Sequence, residues 1–178
     1  MHSWDSSNLF LFFDDMENVL IRKGREEDLP RVLELVKQLA DYEKAPLEVE
    51  NTVEEMRRDG FGPSPIFHFL VAESNGLIAG IAVYYIKYST WKGKCLFLED
   101  IVVDEALRGN GLGHRLFQEV IQVAKEAGYR RMEWQVLDWN EPAICFYKKY
   151  NAVLDSEWIN GKLTYEQLQG AQKMENGK

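Results

Sequence analysis

The segment over residues 96–113 constrains the fold of this 178-residue chain more than any other. It begins as an apolar stretch with two adjacent carboxylates, Glu99 and Asp100, passes through a polar turn and ends in glycines at three alternate positions. Glycines let the backbone approach a ligand closely, and a helix N-terminus adds the positive end of its dipole. Apolar residues then recur every four positions over 112–124, which predicts a helix with one buried face. The loop before that helix therefore favours a pyrophosphate.

The type of phosphate loop follows from the residues around these glycines. A Walker loop needs Lys-Ser or Lys-Thr after its last glycine, where this chain has His114 and Arg115. A dinucleotide fingerprint needs a third glycine that neither possible register supplies. The remaining pattern, Arg108-x-x-Gly111-x-Gly113, resembles the acyl-CoA pyrophosphate loop of the Gcn5-related N-acetyltransferase superfamily. The alternative is a glycine-rich turn between a strand and a helix, with no ligand.

A second segment, residues 138–149, has the features of a capped helix. Asn140 is a favourable N-cap, and Pro142 suits the first turn, where its missing N–H costs nothing. In the same superfamily, an Asn-x-x-(small)-x-x-Phe-Tyr run forms the helix that lines the other side of the cofactor. Asn140, Phe146 and Tyr147 occupy the matching positions here. Both aromatic residues have a core alternative, but two matching segments in the right order are stronger than either alone.

Shorter motifs narrow the resemblance to the diamine (spermidine/spermine) N-acetyltransferase and thialysine acetyltransferase family. The resemblance runs through most of the chain, over residues 19–152. It implies an α/β fold, the single-domain acyl-CoA N-acyltransferase (Gcn5-related) fold with a mixed central sheet flanked by helices. It also implies acetyl-CoA as cosubstrate and a homodimer. The motifs that carry it are Leu-Ala-Asp-Tyr-Glu at 39–43, Asp-Gly-Phe-Gly at 59–62, Phe-Leu-Val-Ala-Glu at 69–73, Trp-x-Gly-Lys at 91–94, Leu-x-Leu-Glu-Asp at 96–100 and Trp-Asn-Glu-Pro at 139–142.

Composition agrees with a single soluble enzyme domain. Hydrophobic residues make up 46% of the chain, and the formal net charge of −8 argues against nucleic-acid binding, which needs a basic surface. Acidic proteins attract cationic molecules, although many proteins are acidic merely for solubility. The two cysteines, Cys95 and Cys145, have no metal-ligand spacing, so we expect no metal site.

The chain ends are expected to lie outside the folded domain. Residues 1–18 are interpreted as an N-terminal extension, residues 19–168 as the N-acetyltransferase domain and residues 169–178 as a flexible tail. The apolar run at residues 9–13 lacks a basic region before it and a small-residue cleavage site after it, so no secretory signal is predicted. Nothing approaches the length of a membrane span, and we expect a cytoplasmic protein without a membrane partner.

Hydrophobic periodicity and turn residues predict alternating strands and helices. Asn75-Gly76 and Asn160-Gly161 are both hairpin signals. Strands are predicted over 19–22, 67–73, 77–88, 96–103 and 131–137, and helices over 25–39, 52–60, 113–127 and 140–150.

Two residues are candidates for moving protons. An amine attacks a thioester only when it is neutral, and small alkylamines are protonated near pH 7. Glu99 interrupts an apolar strand and is the candidate base, directly or through water, with a rim salt bridge as the alternative. Adjacent Glu99 and Asp100 point to opposite faces unless a bulge intervenes. By resemblance, Tyr147 is the candidate acid that protonates the departing thiolate.

The resemblance also implies which residues hold the cofactor. The strand carrying Glu99 is expected to offer backbone groups to the pantetheine arm, as an added strand does. The glycine loop is expected to hold the pyrophosphate, and the second segment to complete the wall. The cofactor candidates are Ile101, Val102, Val103, Arg108, Gly109, Asn110, Gly111, Leu112, Gly113, His114, Asn140, Glu141, Pro142, Ala143 and Tyr147.

A further set is expected to line the amine site, where carboxylates hold ammonium groups and tryptophans add cation–π attraction. Ser89-Thr90 replaces the Asp-Pro common in spermidine-type members, and Lys92 repels a long cation. These departures favour a shorter diamine or a lysine-like amino acid such as thialysine over spermine. The substrate candidates are Tyr42, Glu43, Trp91, Glu99, Asp100, Glu133, Trp134 and Gln135.

Two other functions remain open at this stage. An acetyltransferase for a protein N-terminus or lysine needs an open peptide groove, whereas Trp91 and Tyr42 suggest a narrow cleft. An acyl-CoA-binding sensor or interaction module without catalysis is a different class, which the presence of both Glu99 and Tyr147 argues against.

Overall fold

The computed structural model describes residues 19–170. The chain divides into two compact units between Gln135 and Val136. The extension predicted over residues 1–18 lies outside the described residues, as do residues 171–178 of the predicted tail.

The first unit is built on one five-stranded sheet in the order β1-β2-β3-β4-β5. Neighbouring strands from β1 to β4 are antiparallel, and β5 is parallel to β4 at Leu96 and Phe97. The sheet is therefore mixed, as the sequence predicts. The strands are β1 Leu20–Lys23, β2 His68–Ser74, β3 Leu77–Ser89, β4 Gly93–Val103 and β5 Met132–Glu133.

Three α-helices of the first unit cover the sheet. They are α1 Leu29–Tyr42, α2 Val53–Phe61 and α3 Leu112–Glu126. Thr52 caps α2, because its hydroxyl accepts from the Glu55 N–H while the Glu55 carboxylate accepts from the Thr52 N–H, an arrangement known as a capping box. In the second unit, α4 spans Glu141–Lys148 and α5 spans Tyr165–Gly170.

The two faces of the sheet carry different helices because side chains alternate along a strand. The α1 face buries Ile81 and Val83 of β3 against α1 and α2. The α3 face carries Gly80, where an added Cβ would lie 3.1 Å from the Leu116 side chain of α3 and 2.8 Å from the Val102 carbonyl oxygen. Gly80 therefore lets α3 sit close to the sheet.

Some predicted elements differ from the structure. The two-residue strand β5 replaces the strand predicted over residues 131–137. The hairpin predicted at Asn160-Gly161 is wrong, since a two-residue type I′ turn needs positive φ at both positions and neither residue has it. Asn75 and Gly76 do have it, at 50° and 76°, and they join β2 to β3 as predicted. Over residues 19–170, no helix is both long and apolar enough to cross a membrane.

Candidate active site

The glycine loop reaches α3 through two residues in the left-handed region. Gly109 has φ of 84° and Gly111 has φ of 81°. Gly111 is the N-cap of α3 and has no side chain with which to cap the first turn. The loop therefore combines backbone shapes that favour glycine with a helix N-terminus that suits an anion.

A buried ion pair anchors the turn that precedes this loop. The Asp104 side chain accepts from the Ala106 N–H at 3.1 Å and pairs with the Arg31 guanidinium of α1 at 2.6 Å. Arg31 also donates to the Ile78 carbonyl oxygen at 3.1 Å. Asp104 is 4% exposed, so its charge depends on Arg31 and on the amide of Gln38, which donates to it at 3.1 Å. The loop thus starts from a position that α1 holds.

Arg108 links the loop to the end of α1. Its Nε donates to the Val103 carbonyl oxygen at 3.1 Å, and its guanidinium carbon lies 5.2 Å from the centre of the Tyr42 ring. That distance is within the range of a cation–π contact. The end of α1 and the glycine loop, both predicted to be functional, are therefore in contact.

A β-bulge places Glu99 and Asp100 on the same side of the sheet. Val83 pairs with Asp100 and Tyr84 pairs with Leu98, so Glu99 is an extra residue in β4. Paired residues share a face, which puts Asp100 on the α1 face with Val83; the extra residue lets Glu99 join it there. The bulge at Glu99 therefore lets both carboxylates face the same cleft.

Asp100 is buried close to two other carboxylates, Glu99 and Glu43. Burial raises the pKa of Asp100 to about 6, with further increases from the negative charges of Glu99 and Glu43. Burial also raises the pKa of Glu43. The end of α1 and the bulge in β4 therefore form one negative cluster, which an ammonium group would stabilise in its ionised form.

Aromatic and charged side chains extend this face toward β5. The rings of Tyr85 and Phe97 lie 5.1 Å apart, and Lys87 lies 5.4 Å above the Phe97 ring. The pKa of Tyr85 is raised by burial and then by Glu99 and Glu133. The sequence prediction missed Tyr85, Lys87 and Phe97, although their alternation with Val83 and Glu99 along β3 and β4 was the available signal.

The predicted substrate residues of β5 and the β3–β4 turn have different surroundings. Glu133 pairs with Lys87 at 3.4 Å and with Arg131 at 3.2 Å, so two cations already oppose its charge. The Trp134 ring packs edge-on against Phe117 of α3, with ring centres 5.4 Å apart. Gln135 is exposed, and Trp91 lies at the tip of the turn with 83% of its surface exposed. The structure therefore does not place Trp91 in a narrow cleft.

The backbone of β4 is open where the sequence predicts a cofactor arm. Within residues 19–170, β5 pairs only with Leu96 and Phe97, so the later residues of β4 have no strand on that side. Ile101, Val102 and Val103 occupy this stretch, and the Val102 side chain is part of the core. An extended amide chain fits such an edge by strand addition. The open edge and the glycine loop together fit the pantetheine and pyrophosphate of acetyl-CoA.

The second unit presents the remaining candidates on α4. Asn140 caps this helix, since its side-chain oxygen accepts from the Ala143 N–H at 3.3 Å. Pro142 lies in the first turn, as predicted. Tyr147 is 5% exposed, and its ring lies edge-on to Phe146, with centres 5.1 Å apart. The predicted cap and most of the predicted helix are therefore formed.

Comparison with known proteins decides the family. Residues 22–152 match the model of the acetyltransferase (GNAT) family. The chain belongs to this acetyltransferase family. Within it, a thialysine N-epsilon-acetyltransferase of Bos taurus is 39% identical over 145 residues, which are 77% of this chain and 85% of that protein. A spermidine/spermine N(1)-acetyltransferase-like protein 1 of Homo sapiens is 36% identical over 163 residues, which are 86% of this chain and 24% of that protein.

Solved acetyltransferase structures show the same fold. The crystal structure of an aminoglycoside acetyltransferase from an uncultured soil metagenomic sample has a TM-score of 0.70 to this chain. The match covers 84% of this chain and 98% of the other, at 18% identity. The predicted fold and the predicted acetyltransferase class are confirmed.

Proposed function

We propose that this acetyltransferase transfers the acetyl group of acetyl-CoA to a primary amine of a small cationic substrate. The substrate is a diamine, a polyamine or a lysine-like amino acid such as thialysine, the amino acid named in the Bos taurus relative. The observation that carries the proposal is the negative cluster that Glu43 at the end of α1 forms with Glu99 and Asp100 at the bulge of β4. A dication is attracted by such a cluster, and its distal charge then orients the reacting amine.

We assign one residue of this chain to the proton that the amine loses and another to the proton that the thiolate gains. Acetyl-CoA supplies the acetyl thioester when it is bound. Glu99 accepts a proton from the substrate ammonium, directly or through water, and leaves a neutral nitrogen with a free electron pair. As this nitrogen bonds to the carbonyl carbon and the carbon–sulfur bond breaks, Tyr147 gives its phenol proton to the departing thiolate. The second proton that the nitrogen loses restores the phenol. Asp100 and Glu43 stay ionised and hold the remaining positive charge of the substrate.

The cofactor is assigned to the two backbone features that fit it. Ile101 and Val103 offer amide groups along the open edge of β4, and the loop around Gly109 and Gly111 offers N–H groups to the pyrophosphate. Arg108 lies beside this loop and adds positive charge. Asn140 and the first turn of α4, in the second unit, are assigned to the cofactor on the resemblance alone.

The test measures free thiol released from acetyl-CoA with a panel of amines. The panel holds putrescine, thialysine, lysine, spermidine, spermine and a lysine-containing peptide. We expect turnover with a short diamine or thialysine, and a loss of about 10²-fold or more in Glu99→Gln and Tyr147→Phe. Glu119→Gln and Tyr165→Phe are matched controls on exposed positions and should keep the parent rate.

Two other outcomes would favour the two alternative functions, a protein acetyltransferase and an acyl-CoA-binding sensor. Turnover of the peptide alone would favour a protein acetyltransferase, a reading that the exposure of Trp91 permits. Tight acetyl-CoA binding without turnover of any amine would favour a sensor.

We also propose a homodimer in the cytoplasm, on the resemblance described above. Equilibrium sedimentation giving only the monomer mass would refute the dimer.

A further inference from the structure

A cavity of about 290 Å³ lies near the end of β1 and is lined from both faces of the sheet, since Phe69 pairs with Val83 on the α1 face. Tyr84 and Ile86 of β3 line it, and both alternate with Val83, which shares the α1 face with Asp100. Val123 and Tyr129 close it from the C-terminal end of α3. About twelve residues of helix separate this end from the glycine loop, which is roughly 18 Å at the usual rise per residue. The cavity is therefore separate from the glycine loop that is assigned to the cofactor.

The cavity wall is aromatic, and two glycines make room for it. The ring of Phe69 lies 6.0 Å from that of Phe61 and 6.3 Å from that of Phe67, measured between centres. A Cβ on Gly24 would lie 2.0 Å from the Phe69 ring, and one on Gly60 would lie 2.7 Å from the Phe67 ring. Any side chain at either glycine would displace a ring, so the present wall depends on both.

The polar groups of the cavity suit an anion. Lys23 contributes an ammonium, His68 an imidazole, and Tyr84 and Tyr129 contribute phenols, while no carboxylate is among the lining residues. Within the described residues, no carboxylate pairs with Lys23. The cavity lining therefore has a cationic side chain and no carboxylate, although the formal net charge of the chain is −8.

Tyr84 is the one buried polar side chain among the lining residues. Its side chain is 5% exposed, and its ring lies 5.8 Å from that of His68. Burial, followed by the nearby Tyr129, raises the pKa of its phenol, so the hydroxyl remains a donor at neutral pH. Within residues 19–170, no acceptor for this hydroxyl is found. A buried donor that faces a cavity is satisfied when a bound acceptor reaches it.

We propose that this cavity binds a small aromatic carboxylate. The aromatic body stacks against the wall formed by Phe61, Phe67 and Phe69, and the carboxylate accepts hydrogen bonds from Tyr84 and pairs with Lys23. The volume is near the lower end of ligand sites and admits a ring system of about a dozen heavy atoms. This site is additional to the proposed acetyl transfer and does not depend on it.

The test is calorimetric titration of the full chain with 2-naphthoate, paired with the uncharged 2-naphthamide. We expect one-to-one binding of the acid, with an affinity about tenfold higher than that of the amide, which cannot form the charged contacts. Lys23→Met should lower the affinity for the acid to that for the amide, and Tyr84→Phe should lower it severalfold. Lys37→Met removes a lysine elsewhere on the surface and should leave binding unchanged.

Val123→Trp fills the cavity and should abolish binding of both probes. A ligand-observed saturation-transfer experiment in the presence of excess acetyl-CoA should show the naphthoate signal unchanged, since the two sites are separate. Equal binding of acid and amide, no binding of either, persistence in Val123→Trp, or displacement by acetyl-CoA would each overturn the proposal. Because Lys23→Met should keep the parent rate of thiol release, failure here is distinguishable from failure of the proposed acetyl transfer.

Discussion

Arg108 lies over the ring of Tyr42, with its guanidinium carbon 5.2 Å from the ring centre, and so joins the end of α1 to the glycine loop. The same guanidinium holds the Val103 carbonyl oxygen. One side chain therefore contacts the two segments that the proposed function assigns to the amine and to the cofactor. The two binding steps should respond together when this contact is lost.

Tyr42→Leu removes the ring under Arg108 and should raise KM for both acetyl-CoA and the amine. A cation–π contact at a partly exposed site is worth about 0.5–1 kcal/mol, which corresponds to an increase of roughly twofold to fivefold. Steady-state kinetics with each substrate varied in turn measures this. Tyr88→Leu, at a tyrosine that is 73% exposed, is the control. If only the amine KM rises, Arg108 does not couple the two segments.

Asp100→Asn should stabilise the protein at pH 7.5. The folded pKa of Asp100 is about 6 against an ordinary 3.8, so its contribution to stability falls as pH rises through that window. Above pH 6 the whole cost is present, about 1–3 kcal/mol. Thermal unfolding should show a higher Tm for the variant at pH 7.5 and little difference near pH 4. A variant that is less stable than the parent at both pH values would contradict this account.

The rate should depend on the ionisation of the same carboxyl. An ionised Asp100 attracts the substrate cation, so kcat/KM for the amine should rise with pH through about 6. Asp100→Asn should lose this rise and fall about tenfold in kcat/KM at pH 7.5. Glu119→Gln, on the exposed side of α3, should keep the parent profile. An unchanged profile in Asp100→Asn would assign the titration to another group.

Gly111→Ala should weaken acetyl-CoA binding as well as stability. Its φ of 81° lies in the left-handed region, where a side chain costs about 1–2 kcal/mol. Gly128→Ala is the matched control, because Gly128 has φ of 67° but follows the far end of α3. The Tm should fall by a similar amount in both variants, while only Gly111→Ala should raise the KM for acetyl-CoA. Equal KM values would remove the loop from the cofactor site.

The bulge at Glu99 shows where prediction from sequence stopped. The apolar strand, its two carboxylates and the following glycine loop lie in one continuous stretch of sequence, and all three are present in the structure. Whether Glu99 and Asp100 share a face depends on the register between β3 and β4, which pairs residues that are distant along the chain. The same limitation applies to Lys87, which meets Glu133 only because β5 joins the sheet beside β4.

The two Asn-Gly pairs show that a local turn preference does not decide by itself whether a hairpin forms. Asn75-Gly76 lies between two strands that bury one face in a common core, and there the hairpin forms. Asn160-Gly161 has the same local preference, but the exposed residues Trp158, Ile159 and Leu163 around it form no strands. A turn preference is weak by itself, and strand pairing with its buried face supplies most of the stability.

Periodicity and caps were enough to predict the α/β class and the boundaries of α1 to α4 within a few residues. The resemblance of short motifs to known acetyltransferases indicated the family, because each motif lies within a short stretch of chain. Only the tertiary structure decided that Glu43 adds its charge to Asp100, that Arg108 lies on Tyr42, that Trp91 is exposed and that a cavity lies behind Tyr84. These relationships join residues far apart in sequence, and their geometry depends on how helices pack on a sheet whose register the local pattern does not specify.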